Sequence, residues 1–527
     1  MLKRLLLSAA WLAASAGCFA APGQSPPRSD NRAQSAPAGR IDELVFTQLR
    51  QLGIPPAPPC SDAVFVRRAY LDVIGTLPSP SEASSFLQGR SPAKRRVLIE
   101  RLLERDEFAD YWAMKWSDLL RIKAEFPINL WPHAAQGYHR WIRDALRRNL
   151  AYDRFARDLL TASGSNFRVP PVNFYRAMQN REPEGIAQTV ALTFMGERAE
   201  KWPHDRLTGM AGFFSKVGYK YTSEWKEEIV FFDPGKTNGG GAHVDGPAIF
   251  PDGTVAPPSA GQDPREVFAD WLVSAKNPWF ARNIVNRIWS WLLGRGIIHE
   301  PDDIRPDNPP ANPELLAFLE QELVSSHYDL KHIYRLILTS QTYQLSAAAT
   351  NDTPEAQTHF AHYPLRRLEA EVLIDALNKV TGTTEQYTSA IPEPFTYVPE
   401  TQRSIALPDG SISSPFLELF GRPPRDTGLE SERNNRPTAA QELHLLNSSH
   451  LQRKLADSPR LRNLLESRAS PREKANGLYL LILSRFPTEP EWNTVAAYSR
   501  STQPRQEEAL LDVAWALINS AEFLYRH

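Results

Sequence analysis

The residue types best suited to chemistry are concentrated in three stretches. Between Tyr111 and Trp141 stand Trp112, Trp116, Trp131, Tyr138 and Trp141, interleaved with Arg121, Lys123, Glu125, Asn129 and His133. Flat apolar rings beside directional donors and acceptors are what a sugar or peptide groove requires. The structural alternative is that the indoles are core anchors, since Trp112 and Trp116 are four apart, the spacing of a helical stripe. Irregular sequence downstream adds Asn166, Arg168 and Trp225 as candidate ligand contacts. In the second stretch, Phe280 to Leu293, Ile284, Ile288, Trp291 and Leu292 form an apolar stripe. Its other face carries Asn283, Asn286, Arg287 and Ser290, polar but almost uncharged. Such a face packs against irregular backbone, with Arg287 holding loop carbonyls or a carboxylate. The third stretch runs from Gly421-Arg422-Pro423-Pro424-Arg425 to Glu430-Ser431-Glu432-Arg433. Loops fixed by proline and rich in arginine often present guanidinium groups to anions, which makes Arg422, Arg425, Glu430 and Arg433 candidates.

Motifs that would declare a reaction are missing. Gly235-Lys236-Thr237 ends like a phosphate loop, but Val230 stands where its first glycine is needed. There is no His-Glu-x-x-His and no Gly-x-Ser-x-Gly elbow. His359 with His362 is a weak metal pair, and His243, Asp245 and Asp252 lie in a glycine-rich stretch without calcium-loop spacing. Cleavage of a glycoside needs two carboxylates about 5–10 Å apart, and Glu125, Glu227, Glu228, Glu430 and Glu432 are the candidates. No metal or cofactor is assigned, no catalytic residue is nominated, and Cys18 and Cys60 are the only cysteines.

These residues must be positioned by helices. Periodic apolar residues and capping signals predict helices from Ile41, after Asp62, after Ser81, and over 94–103, 110–122, 136–148, 152–160 and 186–195. Further helices are predicted over 267–273, 280–293, 313–324, 330–340, 364–380, 439–455, 471–483, 490–498 and 506–523. In the helix 364–380, Arg367 and Glu371 are spaced for an intrahelical ion pair. The fold class is mainly α: an irregular multi-helix bundle with long Pro-rich loops and a small β-hairpin-like insertion near 229–257. The hairpin is expected from Ala248-Ile249-Phe250 and Thr254-Val255 flanking Asp252-Gly253. Residues 383–437 form a long loop whose aromatic content favours an ordered path over the helices. The predicted organisation is a signal peptide (1–20), a linker (21–40), a helical domain (41–202), an irregular β-containing connection (203–262) and a second helical domain (263–527).

The chain has 527 residues, 42% hydrophobic and 23% charged, which suits a soluble globular protein. Lys plus Arg number 60 against 61 acids, so no general footprint for nucleic acid or anionic membrane exists. Lys3-Arg4 followed by the apolar run Leu5 to Ala16 reads as a secretory signal cleaved after Ala20. The alternative is a lipoprotein signal with an anchor at Cys18. No later stretch is apolar and long enough for a transmembrane helix. The expected location is therefore outside the inner membrane, in the periplasm or at the cell surface.

The residues also resemble a known family. Cys60-Ser61-Asp62, Arg67-Arg68, Leu71-Asp72, Gly75-x-Leu77-Pro78, Asp110-Tyr111-Trp112 and Trp116-x-Asp118-Leu119 look like domain-of-unknown-function family 1549. Asn277-Pro278-x-Phe280-Ala281-Arg282, Val285-Asn286-Arg287-x-Trp289, Tyr363-Pro364-x-Arg366-Arg367-Leu368-Glu369, Phe420-Gly421-Arg422-Pro423-Pro424-Arg425 and His444-Leu445-Leu446-Asn447 look like family 1553. The chain thus resembles planctomycete-type exported surface proteins that pair the two, relatives of which often carry a c-type cytochrome domain. The resemblance implies export and a polysaccharide-utilisation setting, but no established activity. This chain has no Cys-x-x-Cys-His haem motif, and Gly428-Leu429-Glu430 stand where some relatives place cysteines. The expected function is binding of a polysaccharide or a protein partner in the cell envelope. The alternatives are a polysaccharide-active enzyme with paired carboxylates, and a docking partner of cytochrome-bearing relatives.

Overall fold

A computed structural model describes residues 39–236, 248–257, 261–349, 352–501 and 506–527. The predicted signal, nearly all of the linker, Cys18, His243 and Asp245 lie outside the described residues. The chain is mainly α, with two small antiparallel sheets. Local signals set many helix ends. Ser61, rather than Asp62, caps helix Asp62–Ile74 through the Val64 amide, leaving Asp62 to pair with Lys94 and Arg95. Capping boxes open Pro80–Gln88 and Pro471–Leu483, each with proline at the first turn. Gly294 ends Phe280–Leu293 in the left-handed region at φ 72°. A Cβ there would stand 2.5 Å from Arg366 Cδ, because Arg366 crosses that helix end to donate to the Trp291 and Leu292 carbonyls.

One contiguous apolar core runs from Ile41 to Phe523, so the two halves share it. Trp112 and Trp116 belong to this core, packed against Trp291, Tyr334 and Phe155. Buried polar groups also cross between the halves. Arg67 donates to the carbonyls of Ile482 and Phe523, and Arg68 to those of Tyr343 and Leu345. Asp42 accepts from the Gln341 and Thr342 amides. Such links satisfy backbone groups that would otherwise be orphaned inside.

Several expectations are corrected. The predicted helix 364–380 begins only at Ala370, and Arg366–Arg367 form strand β4, paired antiparallel with β5, Tyr525–Arg526. Arg367 therefore makes no intrahelical pair with Glu371 and instead donates to Gln441. The β run Ile229–Phe232 is present as β3, Glu228–Phe232, but its hairpin partner is β2, Val217–Tyr221. The two-residue strand β1, Gly164–Ser165, adds to the other edge of β3. The expected hairpin around Asp252-Gly253 is present only as one bridge, Ile249 to Val255, flanked by hydrogen bonds from the Phe250 amide to Thr254 O and from the Ala256 amide to Ala248 O. The predicted span 439–455 divides into Ala439–Asn447 and Ser449–Ala456, separated by the cap Ser448. The loop 383–437 is ordered and contains the short helices Ser404–Ala406, Pro415–Leu419 and Glu430–Glu432.

Candidate binding groove

Helix Asp106–Leu119 ends in a segment, 120–131, that is held by the long loop. The Gly410 amide donates to Ile122 O, the Ala124 amide to Asp409, and the Glu125 amide to Ser411 Oγ. In return Glu125 accepts from the Ala390 amide at 3.1 Å. Arg121 donates to Thr427 O at 2.8 Å, and Lys123 pairs with Asp426 at 2.7 Å. Thus clamped, the segment places three non-glycine residues at positive φ: Arg121 (56°), Asn129 (62°) and Trp131 (73°). Trp131, with ψ 145°, occupies a region otherwise reserved almost for glycine. Such a residue costs about 1–3 kcal/mol, and strain of this kind gathers at ligand clamps and active sites.

The hairpin β2–β3 approaches the same edge. Its turn carries Trp225 and Lys226, the latter again left-handed at φ 63°. The Trp131 ring meets Trp225 at 4.8 Å and Phe395 of the long loop at 5.3 Å, both edge-on. Trp225 and Phe395 remain 62% and 45% exposed, so three rings from three distant segments form an open aromatic shelf. Beside it lies a groove of about 460 Å³ lined by Asn129, Arg176, Gln179, Arg181, Tyr221, Lys226 and Glu228 among others. Glu228 forms the floor, buried between Arg176 at 2.7 Å and Arg181 at 3.0 Å. Burial lowers the Arg176 guanidinium from its ordinary value although Glu228 opposes the shift. Asn166 fixes the turn by accepting from the Glu228 amide at 3.0 Å and donating to Lys226 O at 3.2 Å. His133 stacks on Phe167 at 4.7 Å, and Arg168 pairs with Glu224 at 3.4 Å.

The arginine-rich part of the long loop turns the other way, into the protein. Arg425 donates to Asp118 at 2.9 Å. Arg433 bridges Asp118 at 2.6 Å and Glu371 at 2.7 Å, and Arg422 lies 3.6 Å from Glu371. The Lys115 ammonium pairs with Glu369 at 2.8 Å, which also takes Arg526, itself 3.3 Å from Asp72. Burial by itself would raise the Asp118 and Glu371 carboxyls; the Arg433 guanidinium, with Arg425 and Arg422, outweighs it and holds both below the ordinary value. Burial brings Arg422 down to about 10, with Arg425 adding like-charge repulsion. Helix Phe280–Leu293 contributes Arg287 to Asp302 at 2.8 Å, while Asn286 clamps both the amide and the carbonyl of Ile298. Glu430 accepts from Trp291 Nε1 at 3.1 Å.

Two family models match the chain. Residues 40–207 match PSCyt2, Protein of unknown function (DUF1549), and residues 264–499 match PSD1, Protein of unknown function (DUF1553). The chain pairs a DUF1549 domain with a DUF1553 domain. No curated protein and no solved structure matches it. The ion network is the seam between them: Asp72, Lys115 and Asp118 come from the DUF1549 domain, and Glu369, Glu371, Arg422, Arg425 and Arg433 from the DUF1553 domain. The groove is built mainly on the DUF1549 domain and the connection that follows it, and the DUF1553 domain lends Phe395.

The sequence-nominated residues therefore separate into two sets. Trp131 and Trp225 form the shelf that meets Lys226 of the groove, and Asn166 holds the Lys226–Glu228 turn, whereas Glu125, His133 and Arg168 are engaged by Ala390, Phe167 and Glu224 and do not line it. Arg287, Arg422, Arg425 and Arg433 do not face an outside anion; they are buried, with side chains at most 5% exposed and carboxylates of the same chain as partners. Arg121, Lys123 and Glu430 likewise hold the long loop in place. Arg176, Arg181, Tyr221 and Lys226 were missed as groove residues, whereas Asn129 stands among the polar residues named in the aromatic segment. Lys226 beside the nominated Trp225 was the one signal that could have found them. Among the described residues no group of three or more His, Cys, Asp or Glu is arranged to hold a metal ion. His362 is buried, its Nδ1 beside Tyr363 O, and His359 lies near Glu355 rather than in a ligand set.

Proposed function

We propose that this DUF1549–DUF1553 protein is exported and binds a polysaccharide chain in the groove beside Trp131, Trp225 and Phe395. The observation that carries the reading is the open three-ring shelf, held by strained backbone at Trp131 and Lys226 and continuous with a polar groove. Sugar rings present C–H faces that pack on indoles and hydroxyls that need directional partners, and the groove supplies both. Export is supported by the N-terminal Lys3-Arg4 and apolar run. Binding is favoured over cleavage by the groove's acids: its lining carries one carboxylate, Glu228, and two arginines grip it. The other nominated acids are held elsewhere, Glu125 by the Ala390 amide, Glu227 by Ser165 and Thr222, and Glu432 by the Thr427 amide.

The test is retention of the purified protein in affinity gels cast with neutral and acidic polysaccharides, with reducing ends assayed in the same samples. Retention without new reducing ends, weakened about tenfold by Trp225→Ala, is the expected result. Release of reducing ends would replace the binding reading with an enzymatic one. Retention indifferent to both Trp225→Ala and Trp131→Ala would overturn the groove as the site.

A further inference from the structure

We infer that the groove selects an acidic glycan, receiving a carboxylate or sulfate ester of the sugar at Lys226 and Arg181. This rests on the glycan reading above and specifies its chemistry. The lining holds three cations, Arg176, Arg181 and Lys226, against the single anion Glu228. Glu228 is buried and its two oxygens are taken by the arginines, so the pair of guanidiniums is only half neutralised. Of the two, Arg176 is buried, whereas Arg181 is 31% exposed and its guanidinium lies over the Tyr219 ring at 5.1 Å.

Lys226 is the sharper signal. Among the described residues it has no carboxylate partner, and the nearby acid Glu224 pairs with Arg168. Its ammonium stands 5.1 Å from the Trp131 ring centre and 5.8 Å from that of Trp225. The indoles fix a positive charge at the edge of the shelf without neutralising it. A sugar stacked along that shelf would carry its substituents past this charge. In the interior Arg425, Arg433, Lys115 and Arg526 have carboxylates of the chain itself and Arg67 and Arg121 have backbone carbonyls, so each has a fixed partner. A charge left without one, on a backbone conformation that a lysine adopts at a cost, is placed for a partner from outside.

The experiment titrates the purified protein calorimetrically with two matched pairs: oligogalacturonate against its methyl ester, and dextran sulfate against dextran. The acidic member of at least one pair should bind about tenfold or more tightly, with a preference that shrinks as salt rises. Lys226→Gln should abolish the preference by weakening the acidic member far more than the neutral one, while Lys226→Arg retains it. Trp225→Ala should weaken acidic and neutral members alike. Preference for the uronate pair only, or the sulfate pair only, supports the inference and identifies the anion. Equal binding within both pairs, still weakened by Trp225→Ala, overturns the acidic selectivity and leaves the glycan groove standing. A preference unaffected by Lys226→Gln places acid recognition elsewhere and overturns it too. No binding of any member by the wild type overturns the glycan reading and this inference together.

Discussion

The groove and the seam between the two domains both combine arginine, lysine and glutamate, and they differ in where the partners come from. At the seam Arg433 finds Asp118 and Glu371, and Arg526 finds Glu369, all within the chain and away from water. In the groove Lys226 has rings but, among the described residues, no carboxylate, and Trp225 is largely exposed. Buried charges that are satisfied internally hold a structure in register; charges and rings left open at a strained edge are available to a ligand. Residue type alone therefore does not distinguish a structural arginine from a binding one. Burial and partner do.

Three experiments would break or sharpen that contrast. The largest effect is expected from Arg433→Met, which takes from Asp118 and Glu371 the guanidinium that bridges them and leaves Arg425 on Asp118 and the more distant Arg422 on Glu371. Loss of one member of a buried ionic group costs about 3–5 kcal/mol, read as a lower urea midpoint, while ligand binding by the folded fraction stays unchanged. A shift below about 1 kcal/mol would remove the seam as a structural device.

Acidification comes next. Asp118, Glu369 and Glu371 have folded values below their ordinary ones, although burial pulls the other way. The stability they confer is complete above their unfolded values, near about pH 4, and is lost as pH falls through the depressed folded values. Asp375 and Asp409 oppose this, since burial raises theirs and protonation on acidification relieves a cost. Burial also brings His139 down to about 3 and His527 to about 4, so stability measured by denaturation should begin to fall below about pH 6.5 and fall more steeply below about pH 4, where the carboxylates add to the loss. Arg433→Met should flatten the steeper part, and Trp225→Ala should leave it unchanged.

The smallest effect on stability is expected from Lys226→Gly. Relief of the left-handed strain and the added freedom of glycine nearly cancel, so stability should move by less than about 1 kcal/mol. Acidic-glycan preference should nevertheless disappear. A large loss of stability would make Lys226 a structural residue and erase its difference from the seam.

Much of the secondary structure was legible. Lys94–Leu103, Tyr152–Leu160, Phe280–Leu293 and Pro471–Leu483 lie where their apolar periodicity puts them, the last with a capping box as well. The aromatic segment around Trp131 was legible as a candidate contact region, and Trp112 and Trp116 as a helical stripe. The polar face of Phe280–Leu293 does meet irregular backbone, at Thr193 O and Ile298. What failed was the direction of the arginine-rich loop. Arg425 and Arg433 look alike in sequence whether their carboxylate belongs to a ligand or to Asp118, more than 300 positions away. Arg366 and Arg367 continue a helical pattern on paper, but the chain's last residues claim them for a strand.

The amino-acid sequence by itself determined most of the helices and the family pairing. These depend on side chains within a turn or two of one another, and on motifs in a fixed order. Only the tertiary structure decided which charges are sealed in and which are open. It brought Trp131, Trp225 and Phe395 onto one shelf from segments far apart in the chain. The reason is physical: the fate of a charge or ring depends on the water and partners around it, and packing of the whole chain sets those.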